Sequence, residues 1–109
     1  MIYRLKKQSD FDKLFKKGNR AYAKSLMMLY SKSDVLKIGY SLSKKHGKAV
    51  RRNKIKRLLR AATREVFKNL NVSCHIVFLP KKQDEYSYKE YVRDMAYLVK
   101  KENLNENFK

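Results

Sequence analysis

Apolar residues along the chain fall into blocks whose spacing separates helix from strand. Phe11, Leu14 and Phe15 recur at i, i+3 and i+4, behind Ser9-Asp10-Phe11-Asp12, a capping residue with acids in the first turn, and ahead of Gly18, a helix-ending residue. That spacing predicts a short helix over 10–17. From Tyr22 to Ser31 the chain is apolar and aromatic over the length of a strand, and Ser33-Asp34 follows as a turn pair. Residues 35–42 then alternate, with Leu36, Ile38, Tyr40 and Leu42 on one face and Lys37, Gly39 and Ser41 on the other. The two strands are expected to pair as a hairpin. Gly39 in mid-strand marks either a bulge or a point where something approaches the backbone closely.

The longest block runs from Lys48 to Leu70. Advancing about 100° per residue, Ile55, Leu58, Leu59, Ala62 and Val66 share an arc of roughly 100°, the width of a helix face that buries against a core. Asn71 is the expected stop. His75 to Pro80 is a continuous apolar run and reads as a strand buried on both faces. Ser87 and Glu90 have capping-box spacing, and Tyr88, Tyr91, Val92, Met95, Leu98 and Val99 follow at helical spacing, which predicts a last helix over 88–101. Residues 103–109 are expected to fray as a tail. The order α-β-β-α-β-α describes an α+β chain, 1–109 as a single domain: a two-layer α/β sandwich with the long helix on a small mixed sheet.

Charge changes what the long helix is for. The 109 residues are 43% hydrophobic, enough for a small core, but they carry 28 Lys and Arg against 10 Asp and Glu, a net charge of +18. The face of the helix opposite its apolar arc holds Asn53, Lys56, Arg57, Arg60 and Arg64, flanked by Arg52 and Lys54. Lys48 and Arg51 stand in its approach, and Lys44 and Lys45 in the loop before it. A solvated face normally interleaves signs, yet Glu65 is the one acid between Lys48 and Leu70, and Arg52/Lys56, Lys56/Arg60 and Arg60/Arg64 repel at i, i+4. Such a face implies a polyanionic partner. A membrane is not expected as that partner: no apolar run of about 18 residues spans a bilayer and no signal-peptide core follows Met1, so a cytoplasmic location is expected. Cys74 lies in an apolar run and reads as a small buried hydrophobe.

Catalytic chemistry of the chain's own is not expected. His46 sits in a basic loop and His75 at the start of a buried strand, the acids come in ones and twos, and no zinc spacing, Gly-rich phosphate loop or Ser/His/Asp order occurs. Charge alone admits a general RNA-binding module of ribosomal type.

The run Gly47 to Arg60, GKAVRRNKIKRLLR, closely resembles the RNR motif of the bacterial ribonuclease P protein subunit family. Asp10 to Gly18, DFDKLFKKG, resembles that family's first helix, and Ile38 to Lys45, IGYSLSKK, its strand leading into a Ser-Lys-Lys loop. The resemblance implies a ribonucleoprotein enzyme that removes the 5′ leader of precursor tRNA. Hydrolysis would lie with the RNA subunit, and Mg²⁺ would be held mainly by that RNA and the substrate. The implied partners are the ribonuclease P RNA subunit and precursor tRNA, with no obligate protein partner. Arg52, Asn53, Lys54, Lys56, Arg57 and Arg60 would contact RNA, with Lys44 and Lys45 extending the surface. Phe11, Phe15 and Tyr30 would line a cleft for the single-stranded leader between first helix and sheet. Lys54 stands where the family usually has Arg, which keeps the charge and loses the bidentate fork. A left-handed β-α-β crossover is also implied, against the usual right-handed rule.

Overall fold

A computed structural model describes residues 2–105. In chain order the elements are β1 (Tyr3–Arg4), α1 (Gln8–Lys17), β2 (Asn19–Tyr22), β3 (Leu26–Lys32), β4 (Lys37–Tyr40), a 3-10 turn (Lys44–His46), α2 (Ala49–Phe67), β5 (Cys74–Pro80) and α3 (Tyr88–Lys101). The strands form one mixed sheet in the order β1-β4-β5-β3-β2.

The run 75–80 occupies the centre of this sheet as β5, parallel to β4 and antiparallel to β3. Its uninterrupted apolar sequence follows from cover on both faces. Ile76 and Phe78 belong to the larger core, with Ile55, Leu59 and Ala62 of α2 and Tyr91, Met95 and Leu98 of α3. Val77 points the other way and meets Leu29, Leu5 and Leu14 beneath α1. The α+β sandwich therefore has α2 and α3 as its main helical layer and α1 on the reverse face. The β4-α2-β5 connection joins two neighbouring parallel strands.

Strand pairing departs from the expected hairpin. β3 and β4 are not neighbours, because β5 lies between them and pairs with both. Alternation reports which face a residue occupies, whereas the neighbour is decided by where the doubly apolar β5 finds partners for both edges. The expected strand 22–31 is also interrupted. Its chain turns at residues 23–25, with Ala23 N–H donating to Leu26 O at 2.9 Å, and β2 and β3 form a hairpin of their own, Tyr22 opposite Met27. Ser25 at that turn is buried because its N–H and hydroxyl both donate to Asp94 Oδ2 on α3. β1, two residues long, is too short to leave a periodic signal.

Helix ends show where local rules prevailed. α3 spans the predicted residues, and the Ser87 hydroxyl accepts from Glu90 N–H at 3.4 Å. α1 begins two residues before the predicted start, capped by Lys7 with no side-chain bond, so Ser9 lies inside the helix rather than at its cap. Gly18 does end it, for lack of space rather than for handedness: its φ is −67° and a Cβ would stand 2.6 Å from Leu14 O. α2 stops at Phe67, short of the expected Asn71. The tail is shorter than expected too. Leu104 packs into the core and Asn71 N–H donates to Asn105 Oδ1 at 2.8 Å, while 106–109 lie outside the described residues.

Candidate nucleic-acid interface

Burial of Ile55, Leu59 and Ala62 fixes how α2 is rolled on the sheet, and its cations then divide between two shoulders. One shoulder carries Arg52, Lys56, Arg60 and Arg64 and faces β4, β1 and α1. It walls two adjoining depressions. The first, about 270 Å³, is formed by Gln8, Phe11 and Phe15 of α1, by Tyr40 to Leu42, and by Arg52 and Lys56. The second, about 560 Å³, continues past Phe11 along β1 and Tyr40 to Lys56, Arg60 and Arg64. Phe11 and Phe15 thus stand across a cleft from Arg52 and Lys56. Phe15 is 37% exposed at the mouth.

Gly39 explains how Phe11 reaches so deep. A Cβ there would lie 2.7 Å from Phe11 Cζ, so the glycine marks a close approach and the approaching group is an aromatic ring. Beside it, the Tyr40 hydroxyl donates to Thr63 Oγ1 at 2.8 Å, and the Thr63 hydroxyl in turn donates to Leu59 O at 2.8 Å. Burial raises the Tyr40 phenol pKa, opposed by the Thr63 bond and by Arg60 and Arg64, so the group stays a neutral donor and locks β4 to α2. Arg52 Nε is buried beside this cleft without a hydrogen-bond partner among the described residues.

Tyr30 does not line the cleft. It shares the sheet face of Tyr40, but β3 is separated from β4 by β5, so Tyr30 packs against the larger core beneath α2 and α3, one strand too far from the cleft. Its hydroxyl donates to Glu102 Oε1, and burial together with that bond pushes its pKa up to about 12. The other aromatics at the cleft are Tyr40, which lines both depressions, and Tyr3 of β1 in the larger one. The sequence held a signal for Tyr40, which lies within the alternating stretch 35–42 that leads toward α2.

The other shoulder has different neighbours. Lys48, Arg51 and Lys54 border a separate groove with Val50, Ile55, Leu58, Asp84, Glu85 and Tyr86. Arg51 is committed there. Its stem passes over Gly47, where a Cβ would stand 2.8 Å from Arg51 Cδ, its guanidinium lies 5.6 Å from the Tyr86 ring centroid, and Nη2 donates to Asp84 O at 3.0 Å. Gly47 also has φ +100°, a conformation that favours glycine. Asn53 and Arg57 are exposed on the crest between the shoulders, and Lys44 and Lys45 are exposed on the 3-10 turn.

His46 holds that turn in place. Its Nδ1 accepts from Ser43 N–H at 3.1 Å, which leaves the proton on Nε2 to donate to Pro80 O at 2.7 Å. His75 meets Ser33 Oγ at the opposite end of β5, roughly 16 Å away at about 3.3 Å per residue, so the two histidines do not form a pair. Among the described residues, no group of three or more His, Cys, Asp or Glu could hold a metal ion. Ion pairs among them are Glu65–Lys68 and Arg93–Asp94, so no carboxylate pairs with the cleft cations Arg52, Lys56, Arg60 or Arg64.

Known proteins share both this sequence and this shape. The Ribonuclease P family profile matches residues 2–103. The ribonuclease P protein component of Bacillus velezensis is 37% identical over 105 residues, covering 93% of this chain and 90% of that one. That of Clostridioides difficile is 33% identical, covering 93% and 92%. The structure of the Staphylococcus aureus RNase P protein superposes with a TM-score of 0.81 at 27% identity, over 95% of this chain and 98% of that one. The Thermotoga maritima RNase P protein gives a TM-score of 0.79 at 28% identity, over 90% and 96%. A profile and relatives that span nearly the whole chain, on a fold shared with solved members, place the chain in the ribonuclease P protein family.

Proposed function

We propose that this chain, as the protein component of a ribonucleoprotein endoribonuclease, holds the 5′ leader of precursor tRNA in the cleft between α1 and α2 and binds the ribonuclease P RNA subunit with the remainder of its basic surface. One observation carries the reading: Phe11 and Phe15 face Arg52 and Lys56 across an open cleft. Aromatic rings stack unpaired bases of any sequence, and cations lining the same depression hold the backbone. A mature tRNA has no leader to place there. The crest residues Asn53 and Arg57, with Lys44, Lys45, Lys48 and Lys54, are left for the RNA subunit.

The described residues do not fit a protein-held Mg²⁺, since their carboxylates do not cluster. In this reading Mg²⁺ is held by RNA phosphates of the subunit and substrate, and the protein's part is to position the leader and lower repulsion between the two RNAs. No obligate protein partner is required, and the chain works in the cytoplasm, where its tRNA substrate is. No described helix is long and apolar enough to cross a membrane.

The test is reconstitution with a bacterial ribonuclease P RNA at low Mg²⁺. Adding the chain is expected to raise cleavage of precursor tRNA well above that by RNA alone. No gain would overturn the proposal, and equal affinity for precursor and mature tRNA would favour a general RNA-binding module.

A further inference from the structure

Two tyrosines remain exposed at the edge of the sheet away from the cleft. Tyr22 ends the edge strand β2 and is 56% exposed; Tyr97, on α3, is 52% exposed. Single exposed aromatics are ordinary, but these two line one open depression of about 460 Å³ with Lys24, Arg93 and Asp94. On α3, Arg93, Tyr97 and Lys101 follow at i, i+4 and i+8, so a cation stands one turn before the ring and another one turn after it. Lys101 Nζ lies 5.8 Å from the Tyr97 ring centroid. Lys24, exposed on the turn between β2 and β3, extends the positive rim.

The acid in this depression does not oppose an anion. Asp94 is 5% exposed, and its carboxylate is occupied by the Ser25 N–H at 2.8 Å, the Ser25 hydroxyl and Arg93 Nε at 3.0 Å. The Tyr86 groove differs, because Asp84 and Glu85 stand exposed on its rim. Two accessible rings among uncompensated lysines match one chemistry well: bases stack on the rings and phosphates sit on the cations.

We infer that the β2 edge, with Tyr22, Tyr97, Lys24 and Lys101, is a second binding site for single-stranded RNA. It is separate from the leader cleft. The cleft lies at the β1–β4 side of the sheet, and β1 and β2 are four strand spacings apart, about 19 Å at roughly 4.8 Å each. Because the rings recognise base faces, this second site tolerates any sequence and takes unpaired segments in preference to duplex.

The test uses the full chain carrying Phe15→Ala, which weakens the cleft, and an oligouridine containing photoreactive thiouridine, with no RNA subunit present. Crosslinked peptides are expected to include Tyr22 or Tyr97. Affinity, read by fluorescence anisotropy, is expected to fall about tenfold for Tyr97→Ala and to hold within about twofold for Tyr97→Phe, which keeps the ring. Thermal melting of each variant confirms folding, and Tyr22→Ala, which removes the other ring and is expected to weaken binding likewise, keeps the result readable should Tyr97→Ala unfold. Crosslinks confined to α1 and α2, or equal affinities of Tyr97→Ala and the parent, would overturn the site. Neither outcome bears on leader binding, which reconstituted cleavage reads independently.

Discussion

The ring of Phe11 occupies the space that a side chain at residue 39 would need, with Phe11 Cζ 2.7 Å from where the Cβ would be. One aromatic residue of α1 and one glycine of β4 therefore set the depth of the cleft. Gly39→Ala is expected to cost about 1–3 kcal/mol, the usual range for overpacking, and to displace the ring that the leader would meet. Much of that cost is expected to vanish in a Phe11→Ala background, since the nearest clash is with that ring, while the 3.2 Å approach to Leu5 Cβ remains. Urea unfolding of the two single variants and the double variant measures the coupling; additive losses would show that Gly39 serves some other need.

The pair Ser25 and Asp94 makes stability depend on pH in a direction that follows from the bonds. Burial by itself raises the Asp94 pKa, but hydrogen bonds from Arg93, the Ser25 hydroxyl and the Ser25 N–H outweigh it and hold the carboxyl below its ordinary value. A folded-state value below the unfolded one means that the contribution is fully present above the ordinary Asp range, near 3.9, and is lost as pH falls through the lower folded value. Asp94→Asn is expected to unfold more easily at neutral pH and to lose less stability between about pH 5 and pH 2 than the parent. Urea midpoints across that range give the two slopes, and parallel curves would remove Asp94 from the acid response.

Much of the fold and part of the site were legible in the sequence, for reasons visible at particular residues. α3 followed from Ser87, Glu90 and the apolar spacing after them, and the apolar face of α2 from Ile55, Leu59 and Ala62, because local periodicity and capping dominate where a helix is long. The run 75–80 announced burial on both faces. What it could not announce was its neighbours, and so β3 and β4 were paired with each other instead of with β5. The place of Tyr30 is hidden for the same reason: it shares the face of Tyr40, but β5 stands between their strands, and the apolar run of β3 does not say which strand lies beside it. Lys48, Arg51 and Lys54 share charge with Lys56 and Arg60 but not their surroundings, a distinction that requires the loop at Asp84 to Tyr86, more than thirty residues away from Arg51 by the numbering.

That distinction is measurable. Arg51 ties α2 to the Asp84–Tyr86 loop through a ring contact and a hydrogen bond, each worth about 0.5–1.5 kcal/mol. Arg51→Lys keeps the charge but loses the planar fork, so it is expected to lower stability by about 1 kcal/mol while leaving the salt dependence of RNA binding unchanged. Lys56→Ala is expected to do the reverse: little change in stability, and a slope of log affinity against log salt reduced by about 0.7–0.9, the value for one lost phosphate contact. Titrations of RNA at several salt concentrations decide it, and a reduced slope for Arg51→Lys would return Arg51 to the RNA-binding surface.

Phe15 separates leader binding from core packing more cleanly than any other residue of the cleft. Leu14 beside it is buried under the sheet and Phe11 is wedged on Gly39, so replacing either disturbs the fold as well as the site. Phe15 stands at the mouth, 37% exposed, with Arg52 and Lys56 lining the same depression. Phe15→Ala is therefore expected to lower thermal stability slightly and to weaken binding of leader-bearing precursor tRNA by about 1–3 kcal/mol, the range for loss of one base-stacking ring. Mature tRNA, which lacks the leader, is expected to bind as before. Affinities of the reconstituted enzyme for the two RNAs, measured side by side, give the difference directly. Equal losses for both would mean that Phe15 supports the fold or the RNA subunit contact, and the leader would then have to lie elsewhere on the basic surface.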